Sequence, residues 1–228
     1  MKLSLVNIRS KFVSLISLYS ARTGMILLFT GIMANLSAKE YMITSSGAKS
    51  DTNFLSTIGI QSAIDLCSKE GGGKVVIPAG NYLTGTLYLR SNVTLYLGKG
   101  ATLFGSPHLS DYPENLPEYT FFRKGEVTRA LIYAENCMNI AIEGEGTING
   151  QGGRFGVAGG AKSDSYSVRP YLIWMIQCIN IRTEGIKLMN SGLWMQHYLA
   201  CDQLYIHNID VFNHCNNFGR CRDIKYTH

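Results

Sequence analysis

The groups in this 228-residue chain with the capacity for chemistry are six cysteines, a glycine-rich turn ending in lysine, a glycosylation triplet and 16 acidic residues. Gly71-Gly-Gly-Lys74 is not a phosphate loop: Val75 stands where a Ser or Thr must hold the metal, and no six-residue Gly-to-Gly spacing precedes it. Asn92-Val93-Thr94 could accept a glycan, but such triplets arise often by chance, and this one lies at the head of a predicted strand. The Asp and Glu residues do not cluster, which argues against eliminative chemistry built on acidic calcium ligands and a basic catalyst. No metal and no cofactor is expected. Six cysteines would suggest disulfides in an exported protein, but their spacing points elsewhere.

Cys137-Met-Asn-Ile-Ala-Ile-Glu-Gly-Glu-Gly-Thr-Ile-Asn149 aligns without gaps on Cys178–Asn190, and both align on Cys201–Asn213. Cys leads each unit, alternating apolar residues follow, and Asn closes it. A fourth unit begins at Cys221. Alternation with period two buries one set of side chains, and each unit reads as strand, turn, strand. A period of 23 residues from Cys178 to Cys201, with no helix between, is that of a parallel β-helix whose identical positions stack in the interior. The interval from Cys137 to Cys178 is longer and carries an insertion at Gly150–Ser167. The leading cysteines then read as a buried apolar ladder, with disulfides the lesser alternative. Asn149, Asn190 and Asn213 read as a turn ladder, because Asn tolerates left-handed backbone.

A coil stack needs a cap over its first turn. Ile60, Ala63, Ile64 and Cys67 fall at helical spacing, Ser56 and Thr57 are cap candidates, and Gly71–Gly73 ends the segment, so a capping helix is predicted over 57–69. Short strands are predicted at Lys74–Pro78, Leu83–Leu89, Val93–Leu97 and Ala101–Phe104. The stretch 107–123, with Tyr112, Tyr119, Phe121 and Phe122, reads as a loop covering a core edge or flanking a sugar cleft.

The net charge of +5 does not indicate nucleic acid, because Lys2, Arg9, Lys11 and Arg22 all lie in residues 1–38, which hold no acid. That basic start, the apolar run Met25–Met33 and the small residues up to Ala38 match a secretory signal peptide, with Met25 or another downstream Met as an alternative start. The run is shorter than the ~20 residues that span a bilayer. The expected organisation is a leader at 1–38 and one β-helix domain at 39–228, with coils at 74–228, in a secreted or periplasmic protein that has no membrane partner after cleavage.

Four ordered segments resemble the entry of the pectin-degrading β-helix enzymes: Gly47–Asp51, Ile60–Ile64, Gly71–Tyr82 and Gly100–Ser106. Gly146-Thr-Ile-Asn-Gly-Gln-Gly152, Arg169-Pro170, and Asn190-Ser-Gly-Leu-Trp194 with His197 narrow the resemblance to glycoside hydrolase family 28, the polygalacturonase-like group. The resemblance implies an all-β, single-stranded right-handed parallel β-helix of the pectin lyase-like kind with an N-terminal capping helix. It also implies inverting hydrolysis of α-1,4-galacturonosyl bonds, in which one acid protonates the glycosidic oxygen and carboxylates activate water on the opposite face. The partner implied is a pectic polysaccharide or oligogalacturonide; no oligomeric state is assigned.

The family's catalytic acids follow a segment like Ile206–Asn217, as Asn-Thr-Asp or Asn-Asn-Asp followed by Gly-Ile-Asp, then Gly-Asp-Asp on the next turn. Here Asn216-Asn217 runs into Phe218-Gly-Arg-Cys-Arg-Asp223, and Cys201 to Cys221 is 20 residues instead of 23. Asp223 falls at a strand start, and Asp210, whose repeat counterparts are Gly146 and Lys187, is expected to point into solvent. No residue is therefore assigned as catalytic, and the chain is read as a fragment, or the product of a broken gene, inactive by itself. Carried over from the resemblance, His197 and Trp194 lie near the sugar cleft, and Arg169 pairs a uronate carboxylate through its planar fork. The alternatives are a hydrogen-bonded surface histidine and a structural salt bridge. The alternative function is a non-catalytic carbohydrate-binding or structural β-helix. The last turn, 221–228, is expected to leave strand edges open and to promote association.

Overall fold

The computed structural model describes residues 38–119, 128–155 and 167–213. The leader up to residue 37, Phe121 and Phe122, and the fourth repeat at Cys221 lie outside the described residues. The described residues from Lys39 onward belong to one compact unit, which opens with β1 (Glu40–Met42) and the helix α1 (Thr57–Lys69). Three-strand coils follow: β2 (Gly73–Ile77), β3 (Gly80–Thr84) and β4 (Leu87–Tyr88); then β5 (Val93–Leu97), β6 (Ala101–Gly105) and β7 (Ala130–Glu135). The third coil is β8 (Met138–Gly144), β9 (Thr147–Asn149) and β10 (Tyr171–Ile176). The fourth is β11 (Ile179–Glu184), β12 (Lys187–Met189) and β13 (Gln196–Leu199), before β14 (Asp202–His207) and β15 (Asp210–Phe212).

Each of the first four coils gives one strand to each of three parallel sheets, which β1, β14 and β15 extend: β1-β2-β5-β8-β11-β14, β3-β6-β9-β12-β15 and β4-β7-β10-β13. This is the right-handed parallel β-helix expected. Short Val, Ile and Leu strands build it because their period-two pattern turns alternate residues inward, where in-register neighbours stack. Val75, Leu95, Ile142, Thr183 and Ile206 form one such column, and Tyr82, Leu103, Ile148, Leu188 and Val211 another. Each fully buried aliphatic side chain contributes about 1.5–3 kcal/mol. The columns open in the fifth coil, where Leu204 and Ile206 are 39% and 42% exposed although their partners Ile181 and Thr183 are buried.

Helix α1 spans the predicted residues and buries Ile60, Ala63, Ile64 and Cys67 over the first coil. Its start differs from expectation. Ser56 occupies the N-cap position without a side-chain cap; its hydroxyl instead accepts from the Lys49 amide (3.0 Å) and donates to the Lys49 carbonyl (3.1 Å). Thr57 Oγ1 accepts from the Gly85 amide at 2.7 Å, so both hydroxyls tie the helix to neighbouring chain.

Leu83–Leu89 is not one strand. The chain turns at Gly85-Thr86, where the Thr86 amide donates to the Asp111 carbonyl (3.1 Å) and its hydroxyl to the Ala130 carbonyl (2.7 Å). This corner carries the chain from the second sheet to the third, which an apolar alternation running through it conceals. The gap-free alignment of the repeats also fails in its second half: Lys187 pairs with Thr147, not Gly146, and Met189 with Asn149. The turn Gly144–Gly146 is one residue longer than its successor. It fits because a Cβ on Gly146 would lie 2.6 Å from that of Leu97, an approach only glycine allows.

Cys137, Cys178 and Cys201 each precede an in-register set, Met138, Ile179 and Asp202. All three and Cys67 are free thiols, with Cys178 and Cys67 buried. Among the described residues, the ladder thus consists of thiols packed on the core. Asn190 Nδ2 donates to Asn149 Oδ1 at 3.2 Å, one step off register. A straighter ladder runs through Asn92, Asn139 and Asn180, linked amide to amide at 2.8 Å, all in left-handed backbone. The side chain of the glycosylation triplet's Asn92 is therefore used inside the ladder.

Candidate sugar-binding face

The outer face of the third sheet brings the sequence candidates together. Because β4, β7, β10 and β13 are parallel and in register, Tyr88, Tyr133, Trp174 and His197 form one column. Ring centroids are 5.8 Å apart for Tyr88 and Tyr133 and 5.3 Å for Tyr133 and Trp174, both edge to face; Trp174 and His197 are parallel at 6.4 Å. Tyr171 packs on Trp174, Trp194 and His197 at 5.1, 5.5 and 5.2 Å. Offset and edge-to-face pairs of this kind add about 0.5–1.5 kcal/mol each to the burial itself.

The predicted Trp194 and His197 are in edge-to-face contact at 5.1 Å. Trp194 is 44% exposed, whereas Trp174 behind it is 3% exposed. Trp194 is held on the turn entering β13: its carbonyl accepts from Ser191 Oγ (2.8 Å) and from the Leu172 amide (3.0 Å). Burial among the rings lowers the His197 pKa, so the imidazole is neutral near pH 7 and offers one donor and one acceptor. Arg169 precedes Tyr171 by two residues and is buried, 8% exposed. Pro170, next to it, accepts from the Leu193 amide at 3.0 Å, which locks this corner to the turn bearing Trp194.

Sequence reasoning missed Tyr133, Trp174 and Tyr171. The signal was present: Tyr133, Trp174 and His197 each stand four residues before a ladder cysteine, so each coil delivers a ring to the same place. The column begins at Tyr88, beside a hollow of about 310 Å³ lined by Gln61, Asp65, Tyr88 and Asp111 among others. Tyr112, from the aromatic loop, is a core residue; its hydroxyl donates to the Ser106 carbonyl (2.7 Å) and its ring meets Phe155 edge to face. Asp210 is half-buried and pairs in register with Lys187 on the second sheet, away from this face.

Chemically the face is a platform of rings with a neutral imidazole. The carboxylate nearest the column in sequence, Glu135, accepts from the Tyr133 hydroxyl (2.8 Å) and the Glu118 amide (3.3 Å). Among the described residues, no group of three His, Cys, Asp or Glu side chains is arranged to hold a metal.

Comparison with known proteins places these features in a family. The profile of "Glycosyl hydrolases family 28" matches residues 67–220. A "Probable polygalacturonase" of Vitis vinifera is 34% identical over 76% of this chain and 37% of its own length. An "Exo-poly-alpha-D-galacturonosidase" of Dickeya chrysanthemi is 39% identical over 50% of this chain and 20% of its own. The chain thus spans well under half of these relatives. Among solved structures, a hyperthermoactive exopolygalacturonase from Thermotoga maritima superposes with a TM-score of 0.64 at 26% identity, over 76% of this chain and 46% of that one.

Proposed function

This chain belongs to glycosyl hydrolases family 28, and from that premise we propose that it forms the entry coils and part of the substrate face of a secreted or periplasmic polygalacturonase acting on pectin. The observation that carries the reading is the ring-lined face where Trp194 and His197 meet in front of Tyr171 and Trp174. An exposed indole stacks on the apolar face of a sugar ring, and a neutral imidazole exchanges hydrogen bonds with its hydroxyls. Arg169, buried next to Pro170, supplies the positive charge that favours a uronate carboxylate.

The reaction proposed for the family's pattern is inverting hydrolysis, which needs a carboxylic acid and a carboxylate about 6.5–9.5 Å apart. The sequence Asn216-Asn217-Phe218-Gly219 departs from the acid-bearing motif. We therefore assign no catalytic residue within the 228 residues, and the chain alone binds galacturonan without cleaving it. The alternative is a non-catalytic carbohydrate-binding or structural β-helix, which the departure of Asn216-Asn217-Phe218-Gly219 from the acid-bearing motif equally supports.

Two assays test this on the expressed chain. Retardation in a gel containing polygalacturonate is expected, with no release of reducing ends. Clear release would overturn the assignment of no catalytic acid, and absence of retardation would overturn the binding face.

A further inference from the structure

We propose a second uronate-binding site, on the outer face of the second sheet, in a cavity of about 480 Å³ lined by Thr52, Asn53, Phe104, His108, Gln151 and Arg154 among others. The class of ligand rests on the galacturonan reading above; the site itself rests on separate residues on a different sheet. Its volume lies within the range of small-ligand pockets. Three segments from different coils build it: the loop before α1, the loop after β6 and the turn after β9.

The floor is the outward side of the second sheet, where Leu83 and Phe104 are in-register neighbours. The wall is held rigid. Gln151 has left-handed backbone, φ 50°, an uncommon state for a side-chain-bearing residue that persists only when its surroundings enforce it. Here its amide donates to Asn149 Oδ1 (3.0 Å) and its Nε2 to the Gly105 carbonyl (2.7 Å). The next residue, Gly152, donates to the Asn190 carbonyl at 2.7 Å and lies so close to the following coil that a Cβ would meet the Ser191 carbonyl at 2.2 Å. With Nε2 engaged, the amide oxygen of Gln151 is the acceptor available to a ligand. Opposite, the Asn53 amide donates to Asp51 Oδ1 at 2.8 Å, which shapes the loop carrying the Asn53 side chain.

The charge is one-sided. Arg154 is exposed and, among the described residues, joins no ion pair; His108 adds an imidazole, and no carboxylate is among the lining residues. A planar guanidinium recognises a carboxylate bidentately, the amides of Asn53 and Gln151 suit sugar hydroxyls, and Phe104 supplies an apolar ring. Carboxylate, hydroxyls and an apolar ring face together describe a uronic acid residue. The site anchors a pectic chain at a place distinct from the Trp194 face.

Calorimetric titration of the full chain with trigalacturonate, its methyl ester and inorganic phosphate tests the proposal, using Arg154→Ala and Trp194→Ala. Arg154 is exposed, so its loss leaves the fold intact, which a circular dichroism melt verifies. Two binding events are expected for trigalacturonate. Arg154→Ala should weaken one of them at least about tenfold, the loss of a charge-assisted contact, and the methyl ester should lose the same event on the unaltered chain. Trp194→Ala should leave that event in place. If Arg154→Ala binds like the parent while Trp194→Ala loses binding, the second site is refuted and the first face stands. If Arg154-dependent binding survives and Trp194→Ala has no effect, the second site stands and the face on the third sheet falls. Phosphate binding as tight as trigalacturonate would refute the sugar assignment, and no binding by the parent chain would refute both sites.

Discussion

The two tryptophans of this chain stand on one face yet should answer substitution in opposite ways. Trp174 is 3% exposed and enclosed by Tyr133 and Tyr171 at 5.3 and 5.1 Å. Trp174→Ala removes a whole ring from a packed column and leaves a void its neighbours cannot fill, so it should cost about 3–5 kcal/mol. In a chain of this size that lowers Tm by roughly 2–4 °C per kcal/mol, about 10 °C in all. Trp194 is 44% exposed, so its removal opens no closed cavity and forfeits about half the transfer free energy of the ring, about 1–2 kcal/mol. For galacturonan the order reverses: Trp194→Ala should weaken oligogalacturonate binding about tenfold, about 1.4 kcal/mol. Each variant leaves a single tryptophan, so urea unfolding followed by fluorescence reads stability directly, with the Trp174 reporter emitting at shorter wavelength than the Trp194 reporter. Equal destabilisation by the two substitutions, or unchanged oligogalacturonate affinity in a folded Trp194→Ala, would refute the division of this face into a buried support and an exposed platform.

Other consequences are as direct. Ile181→Ala, at the middle of an interior column, should cost about 2–5 kcal/mol, and Leu204→Ala, its 39%-exposed neighbour in the fifth coil, markedly less; urea midpoints at constant m compare them. Burial lowers the His197 pKa, so below the ordinary value of ~6.5 the unfolded chain binds the proton that the folded chain refuses. Stability should thus be full above that pH and fall as the pH drops through it toward the folded value, and His197→Gln should flatten this acid limb in denaturation series at pH 7.5 and 5.5. The Cys67 thiol, pushed up to about 11 by burial, holds almost no thiolate at pH 8, so iodoacetamide should leave Cys67 unmodified in the folded chain and label it in urea, as read by peptide mass spectrometry.

The capping helix was legible because Ile60, Ala63, Ile64 and Cys67 share a helical stripe, and the coils because each strand repeats its apolar alternation locally. The positions of His197 and Trp194 came from resemblance, and their partners were overlooked although a ring stands four residues before each of Cys137, Cys178 and Cys201. What failed was everything that depends on turns. The repeats align letter by letter, yet the extra residue at Gly144–Gly146 shifts Thr147 onto Lys187; the apolar run Leu83–Leu89 hides a corner held by Thr86, Asp111 and Ala130.

By itself, then, the sequence determined the strands, the cap and the stacking of coils, because inward alternation and helical spacing are properties of neighbouring residues. Tertiary structure alone decided which residues of successive coils meet. That choice is made by the length of each turn and the close approach of backbones there, and it is what sets Tyr88, Tyr133, Trp174 and His197 in one column and draws Asn53, Phe104, Gln151 and Arg154 around one cavity.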